Sequence, residues 1–225
     1  YDLISAPVVN EDSEIVGRIT VDDIVDVLEE EGFEDIARIS GAPDEEILEE
    51  SALVLSRARM PWLMVAFAGE IMAAFILNKF SATLSQMVIT AFFIPIVMAM
   101  GGSTGGQSSV IVVRGLATGD IDLRDTSKRL FKEFKISLIN SLVFGLLLFA
   151  IVMWWDSWEF AAVLSVSMFI VINNAAIVGA LVPLVFKRLN IDPALAAAPF
   201  VTTLNDIVGL LIYLSITTIS LSFLL

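Results

Sequence analysis

The sequence predicts an all-α integral membrane protein with five transmembrane helices, preceded by a short α/β segment and an acidic linker helix. Three observations predict it. Apolar residues fill 57% of the 225 positions and the mean hydropathy is +0.85, more than a soluble core of this size accommodates. Beyond Arg57 the apolar runs recur at the length of about 20 residues that a helix needs to cross a bilayer. Charge is segregated as well: residues 1–50 hold 17 of the 26 acids and only Arg18 and Arg38, a net −15, while the remainder carries 9 acids and 11 bases, a net +2.

Residues 6–9 and 14–20 read as two short strands joined by the turn Asn10-Glu11-Asp12-Ser13. Thr20 is placed to cap a helix starting at Val21, in which Ile24, Val27 and Leu28 recur at helical spacing while acids cover the other face. Acids dominate from Glu29 to Glu50, with breaks at Gly32 and Gly41-Ala42-Pro43. Such a run reads either as a solvated face or linker or, given its place ahead of a membrane domain, as part of a gate.

The expected spans are 61–79, 83–113, 136–155, 160–186 and 195–222. Pro61 is expected in a first helical turn, where a missing N–H costs nothing, and Trp62 at the interface. The second span is expected to be interrupted at Pro95 and at the glycine cluster Gly101–Gly106, and residues 114–135 to form a polar, amphipathic connection. Trp154, Trp155 and Trp158 mark an interfacial turn. Asp192-Pro193 is a helix-start signal that introduces the fifth span.

Basic residues set the expected topology. With the N-terminus in the cytoplasm, ten of the bases after residue 50 fall on the inner side and only Lys79 on the outer. Five spans then place the C-terminus outside. The chain begins at Tyr1 and enters a strand pattern at once, so it is expected to be the C-terminal part of a longer protein without a signal peptide.

Composition narrows the chemistry. There is no Cys and no His, which excludes disulfides, iron–sulfur clusters, thiolate metal sites and the commonest ligand for zinc, copper and haem. Nucleic-acid binding is not expected, because phosphate contacts need clustered Lys and Arg. Asp206 is the most informative residue: a lone acid in the apolar run from Pro193 to Leu225, flanked by Thr202, Thr203 and Asn205. A carboxylate at this depth costs about 2.5–3.5 kcal/mol on insertion scales, so it is expected to face a bundle interior or an aqueous path. Neutral oxygens beside one carboxylate suit a hard cation. The glycine cluster lacks the Gly-Lys-Ser/Thr ending of a phosphate loop. It reads instead as close helix packing, or as locally unwound backbone lining a cavity. Glu70 pairs with another helix, faces water or tunes a pore; Asn140, Asn173 and Asn174 are expected to hydrogen-bond between helices.

Two stretches match something known. Pro95, the run Gly101-Gly102-Ser103-Thr104-Gly105-Gly106-Gln107-Ser108 and Arg114-Gly115-Leu116-Ala117-Thr118-Gly119-Asp120-Ile121 together resemble the second-span signature of the MgtE family of magnesium channels. Asp192-Pro193-Ala194, then Pro199-Phe200-Val201-Thr202-Thr203-Leu204-Asn205-Asp206 and Gly209-Leu210, resemble its last span. The resemblance covers essentially the whole chain: 1–30 is similar to the C-terminal fragment of a CBS domain, 22–56 to an acidic linker leading into a plug helix, and 57–225 to a five-helix pore domain.

The resemblance implies a magnesium-selective channel in the cell membrane, a homodimer embedded in lipid that conducts Mg2+ passively through a pore between two copies. It implies a pore ion site at Asp206, with Thr203, Asn205, Ser103 and Gly102 contributing; Ser103 stands where the family often carries Asn. Asp23, Asp26, Glu31, Glu34 and Asp35 match acids that bind regulatory Mg2+ and close the gate. Thr20 and Asp23 match residues that contact an adenine nucleotide in a full CBS domain. The alternative is an ion-coupled secondary transporter of a divalent cation, built on broken helices. No enzyme is expected, since an aspartyl protease needs two carboxylates in one site and the glycine–aspartate motif of such enzymes is missing at Asp206.

Overall fold

The computed structural model describes residues 4–27, 51–196 and 198–224. The acidic stretch 28–50, including Glu31, Glu34 and Asp35, lies outside the described residues. The N-terminal part is a hairpin in which β1 (Ser5–Val9) pairs antiparallel with β2 (Ile15–Thr20), Ser5 opposite Thr20 and Pro7 opposite Arg18. The turn closes as the Asn10 side chain accepts from the Glu14 amide at 2.9 Å, with Ser13 at φ 64°. Helix α1 follows, described over residues 21–27. The amide and hydroxyl of Thr20 both donate to one Asp23 oxygen at 2.7 Å, so the third helical residue caps the first turn. Those two bonds, the hydroxyl's first, hold the Asp23 carboxyl below the usual carboxylate range. The junction is therefore retained above that ordinary range and loosens only as pH falls through the lowered value.

Among the described residues, five helices are long and apolar enough to span a membrane: α2 (Ala52–Lys79), α4 (Val88–Ala117), α5 (Thr126–Trp155, led by a 3-10 turn), α6 (Trp158–Arg188) and α7 (Ala198–Leu224). The short α3 (Ser81–Gln86) connects α2 to α4. The expected spans are all present, but two boundaries move and one expected interruption is absent, each for a physical reason. First, α2 starts at Ala52, so Pro61 is interior. Residues 52–60, mostly Ala, Leu, Arg and Met, favour the helix strongly enough to carry it past the proline. Second, α5 starts at Thr126 rather than 136, because the amphipathic half of the 114–135 connection is the first part of the same helix. Third, α4 runs unbroken through Pro95 and all of Gly101–Gly106. The break falls earlier, at Met87 (φ −125°, ψ 65°).

The unwound-backbone reading of the glycines is thus corrected in favour of packing. Glycine costs about 1 kcal/mol per residue in a helix, and here close contact offsets it. A Cβ on Gly101 would lie 3.0 Å from the Val171 side chain of α6, and one on Gly179 of α6 would strike the Gly105 carbonyl of α4. Backbone approaches backbone at that crossing, as small residues permit in membranes.

Helix α6 is the centre of the bundle and packs against α4, α5 and α7. Phe93, Val97, Leu164, Ile172 and Leu214 form the main apolar core with Tyr213, whose hydroxyl donates to the Thr90 carbonyl at 2.8 Å. Between α5 and α6 the Asn173 amide joins Ser137 (2.8 Å) and Ser141 (2.7 Å), the interhelical role expected of it. Helix α2 is the outlier: it packs chiefly on α7, and only Gly69 and Ala73 are buried. After α6, Asp192 accepts from the Ala194 amide at 2.9 Å and caps a 3-10 turn, Pro193–Ala196, from which α7 departs.

Candidate functional site

The polar stretch Thr202–Asp206 sits on α7 where that helix passes both α2 and α4. Glycines set the distances. A Cβ on Gly69 would collide with the Thr203 side chain, one on Gly102 would lie 3.5 Å from the Thr202 methyl, and one on Gly105 would collide with the Asn205 amide. Three bare backbone positions on two neighbouring helices therefore let the polar face of α7 approach closely.

Asp206 is half-buried on this face. Asn205 beside it is 3% exposed, yet neither its amide oxygen nor its nitrogen has a hydrogen-bond partner among the described residues. Leaving such a group unpaired costs about 1–3 kcal/mol. Glu70 of α2 is exposed to the outside of the single chain and near enough to Asp206 for the two charges to interact.

Of the residues expected at the pore, Gly102, Thr203, Asn205 and Asp206 thus lie along the contact of α7 with α2 and α4. Ser103 is on α4 but exposed, with no hydrogen bond among the described residues. Asp23 and Asp26 belong to α1; Asp23 is bonded to Thr20 and Asp26 is exposed. Thr20 and Asp23, the two expected nucleotide contacts, meet each other. Among the described residues no three acids converge into a metal-holding group. One copy of the chain offers an ion a carboxylate with a second acid nearby, together with hydroxyls and an unpaired amide, which is too little for a dehydrated cage and suited to a cation that keeps water.

Sequence reasoning missed a second polar cluster. Glu133 of α5 is 3% exposed; it accepts from the Ser108 hydroxyl of α4 at 2.7 Å and pairs with Arg129 one turn earlier. The pair borders a cavity of about 180 Å³ between α4 and α5, into which Thr104, Gln107 and Asn140 also face. The Arg–Glu spacing of four residues was visible, but the amphipathic segment gave no sign that its polar face turns inward. Replacing Glu133 by Leu strands the Arg129 charge. It is expected to lower stability by about 3–5 kcal/mol, measured as thermal or denaturant unfolding in detergent, whereas Arg129→Met with Glu133→Leu should recover most of the loss.

Comparison with known proteins adds a family. A family model described as a divalent cation transporter, MgtE, matches residues 94–216. The magnesium transporter MgtE of Thermus thermophilus is 38% identical over 223 residues, covering 98% of this chain and 50% of that protein. The Bacillus subtilis protein of the same name is 34% identical over 97% of this chain and 49% of its own length. That of Enterococcus faecalis is 31% identical over 97% and 48%. The chain spans about half the length of the relatives it matches.

Proposed function

The chain belongs to the MgtE family of divalent cation transporters, and from that premise we propose that it forms the pore of a magnesium channel. One observation carries the reading. Asp206, an acid at membrane depth, stands next to a buried Asn205 amide with both hydrogen-bonding atoms unspent. Such an arrangement awaits water or a hydrated ion. Magnesium sheds its waters reluctantly, so oxygen acceptors that address its hydration shell suit it better than direct ligands.

The pore forms between two copies, each contributing Asp206 from α7 and Gly102 from α4. At ~5 Å a dipositive ion attracts each carboxylate by on the order of 7 kcal/mol at an effective dielectric of about 20. Desolvation offsets much of this gross attraction, and conduction needs that offset so that the ion leaves again. Flux is passive and inward, driven by the membrane potential, with the N-terminus cytoplasmic and the C-terminus outside. Secondary transporters typically bind at discontinuous helices; the unbroken α4 favours the channel.

The acids Asp23, Asp26, Glu31, Glu34 and Asp35 sense cytoplasmic Mg2+. Bare, they repel one another; neutralised by divalent ions they draw together and favour the closed state by differential binding. Thr20 and Asp23 meet an adenine nucleotide only where a complete CBS domain surrounds them. The test is divalent-cation flux and single-channel recording in liposomes. Stepwise unitary currents carried by Mg2+ are expected, and saturable flux strictly coupled to Na+ or H+ would instead establish the carrier. Alanine at Asp26, Glu31, Glu34 and Asp35 together should leave the current intact but abolish its inhibition by internal Mg2+; inhibition that survives removes the sensor assignment.

A further inference from the structure

A groove of about 340 Å³ opens at the end of the bundle that carries the basic residues, between the 3-10 turn Leu123–Asp125 and the last turns of α6. Its rim holds Arg124, Thr126 and Arg188, and its floor is Leu181, Leu184 and Val185. The two guanidinium groups are exposed and make no ion pair among the described residues. The nearby acids are engaged elsewhere: Asp122 accepts from the backbone amide of Arg124 at 2.9 Å, and Asp125 pairs with Lys128 at 2.6 Å. The floor is apolar and continues along the membrane face of α6, where Leu181 and Val185 are 39% and 41% exposed.

We propose that this groove is a binding site for an anionic phospholipid, the phosphate held between Arg124 and Arg188 and an acyl chain lying over Leu181 and Val185. Two unpaired arginines in one groove fit a phosphate, which guanidinium groups grip with paired hydrogen bonds. The apolar floor distinguishes a lipid from free phosphate, because a small anion has no use for it. The position agrees too: basic grooves between helices on the cytoplasmic side are where anionic headgroups are recognised. The site is separate from the Asp206 face and makes no demand on which ion, if any, the pore conducts.

The test uses the whole chain in detergent and native mass spectrometry, titrating phosphatidylglycerol, phosphatidylcholine and inorganic phosphate in parallel. Wild type should retain phosphatidylglycerol. The double variant Arg124→Gln with Arg188→Gln should bind it on the order of 30-fold more weakly, at about fivefold per surface arginine. Arg124→Lys with Arg188→Lys should retain an intermediate affinity, and an unchanged circular dichroism spectrum certifies the fold of both variants. Equal retention of phosphatidylcholine, undiminished binding by the Gln variant, or inorganic phosphate competing at the same concentration as the lipid would each overturn the proposal. So would full competition by a peptide spanning residues 28–50, which would give the groove to the acidic segment.

Discussion

Replacing Asp206 by alanine is expected to abolish magnesium uptake into liposomes while leaving the bundle folded. In the proposed dimer one substitution removes two carboxylates from a single ion site. A loss of only about 1.4 kcal/mol of net attraction at each lowers occupancy on the order of 100-fold. The isosteric Asp206→Asn separates charge from shape, and it should fall almost as far because an amide offers a dipole where a full charge is needed. Folding should survive both changes, since an uncharged residue is easier to hold in the membrane than an acid. Unchanged uptake in both variants, with protein correctly folded by circular dichroism, would remove Asp206 from the ion path.

Gly179→Val is expected to destabilise the fold at the α4–α6 crossing. Its Cβ would strike the Gly105 carbonyl, and a backbone atom cannot swing aside as a side chain can. Overpacking typically costs about 1–3 kcal/mol, and here relief requires α4 to move as a whole. That movement would also draw Gly105 away from Asn205, so lower melting temperature and lost flux should appear together. Gly106→Ala is the internal control. Nothing lies within 4 Å of a Cβ there, so the helix-favouring alanine should leave stability unchanged or raise it by up to about 1 kcal/mol. Equal stability of the two variants would mean that the α4–α6 crossing is looser than its geometry indicates.

The sequence made the five spans legible because the bilayer imposes one length and one polarity on each. Asp206 was legible for the same reason, as a solitary acid where hydrocarbon is expected. What misled were residues judged by local propensity. Pro61 signals a helix start, and Pro95 and the six-residue stretch Gly101–Gly106 signal breaks, yet α2 and α4 run through them. In a membrane an unwound segment leaves backbone groups without water, so the helix persists wherever a neighbour packs against it. The true break at Met87 carries no proline or glycine and gave no warning. Glu133 was hidden differently: a charged pair on an amphipathic helix looks the same whether its polar face meets solvent or Ser108. The pairings of Gly69 with Thr203 and Gly105 with Asn205 depend on which helices are neighbours, which periodicity alone does not determine.

The sparse attachment of α2 has a mechanical corollary. A rod fastened along one side slides or tilts under small loads, while α6, gripped by three partners, stays put. The tether at Gly69 is Thr203, three positions from Asp206 on the same helix. Tension applied where residue 51 leads into Ala52 would therefore reach the carboxylate along the α2–α7 contact, whose tightest approach is Gly69 against Thr203, a short lever between the water-exposed end of the chain and the charge at its heart.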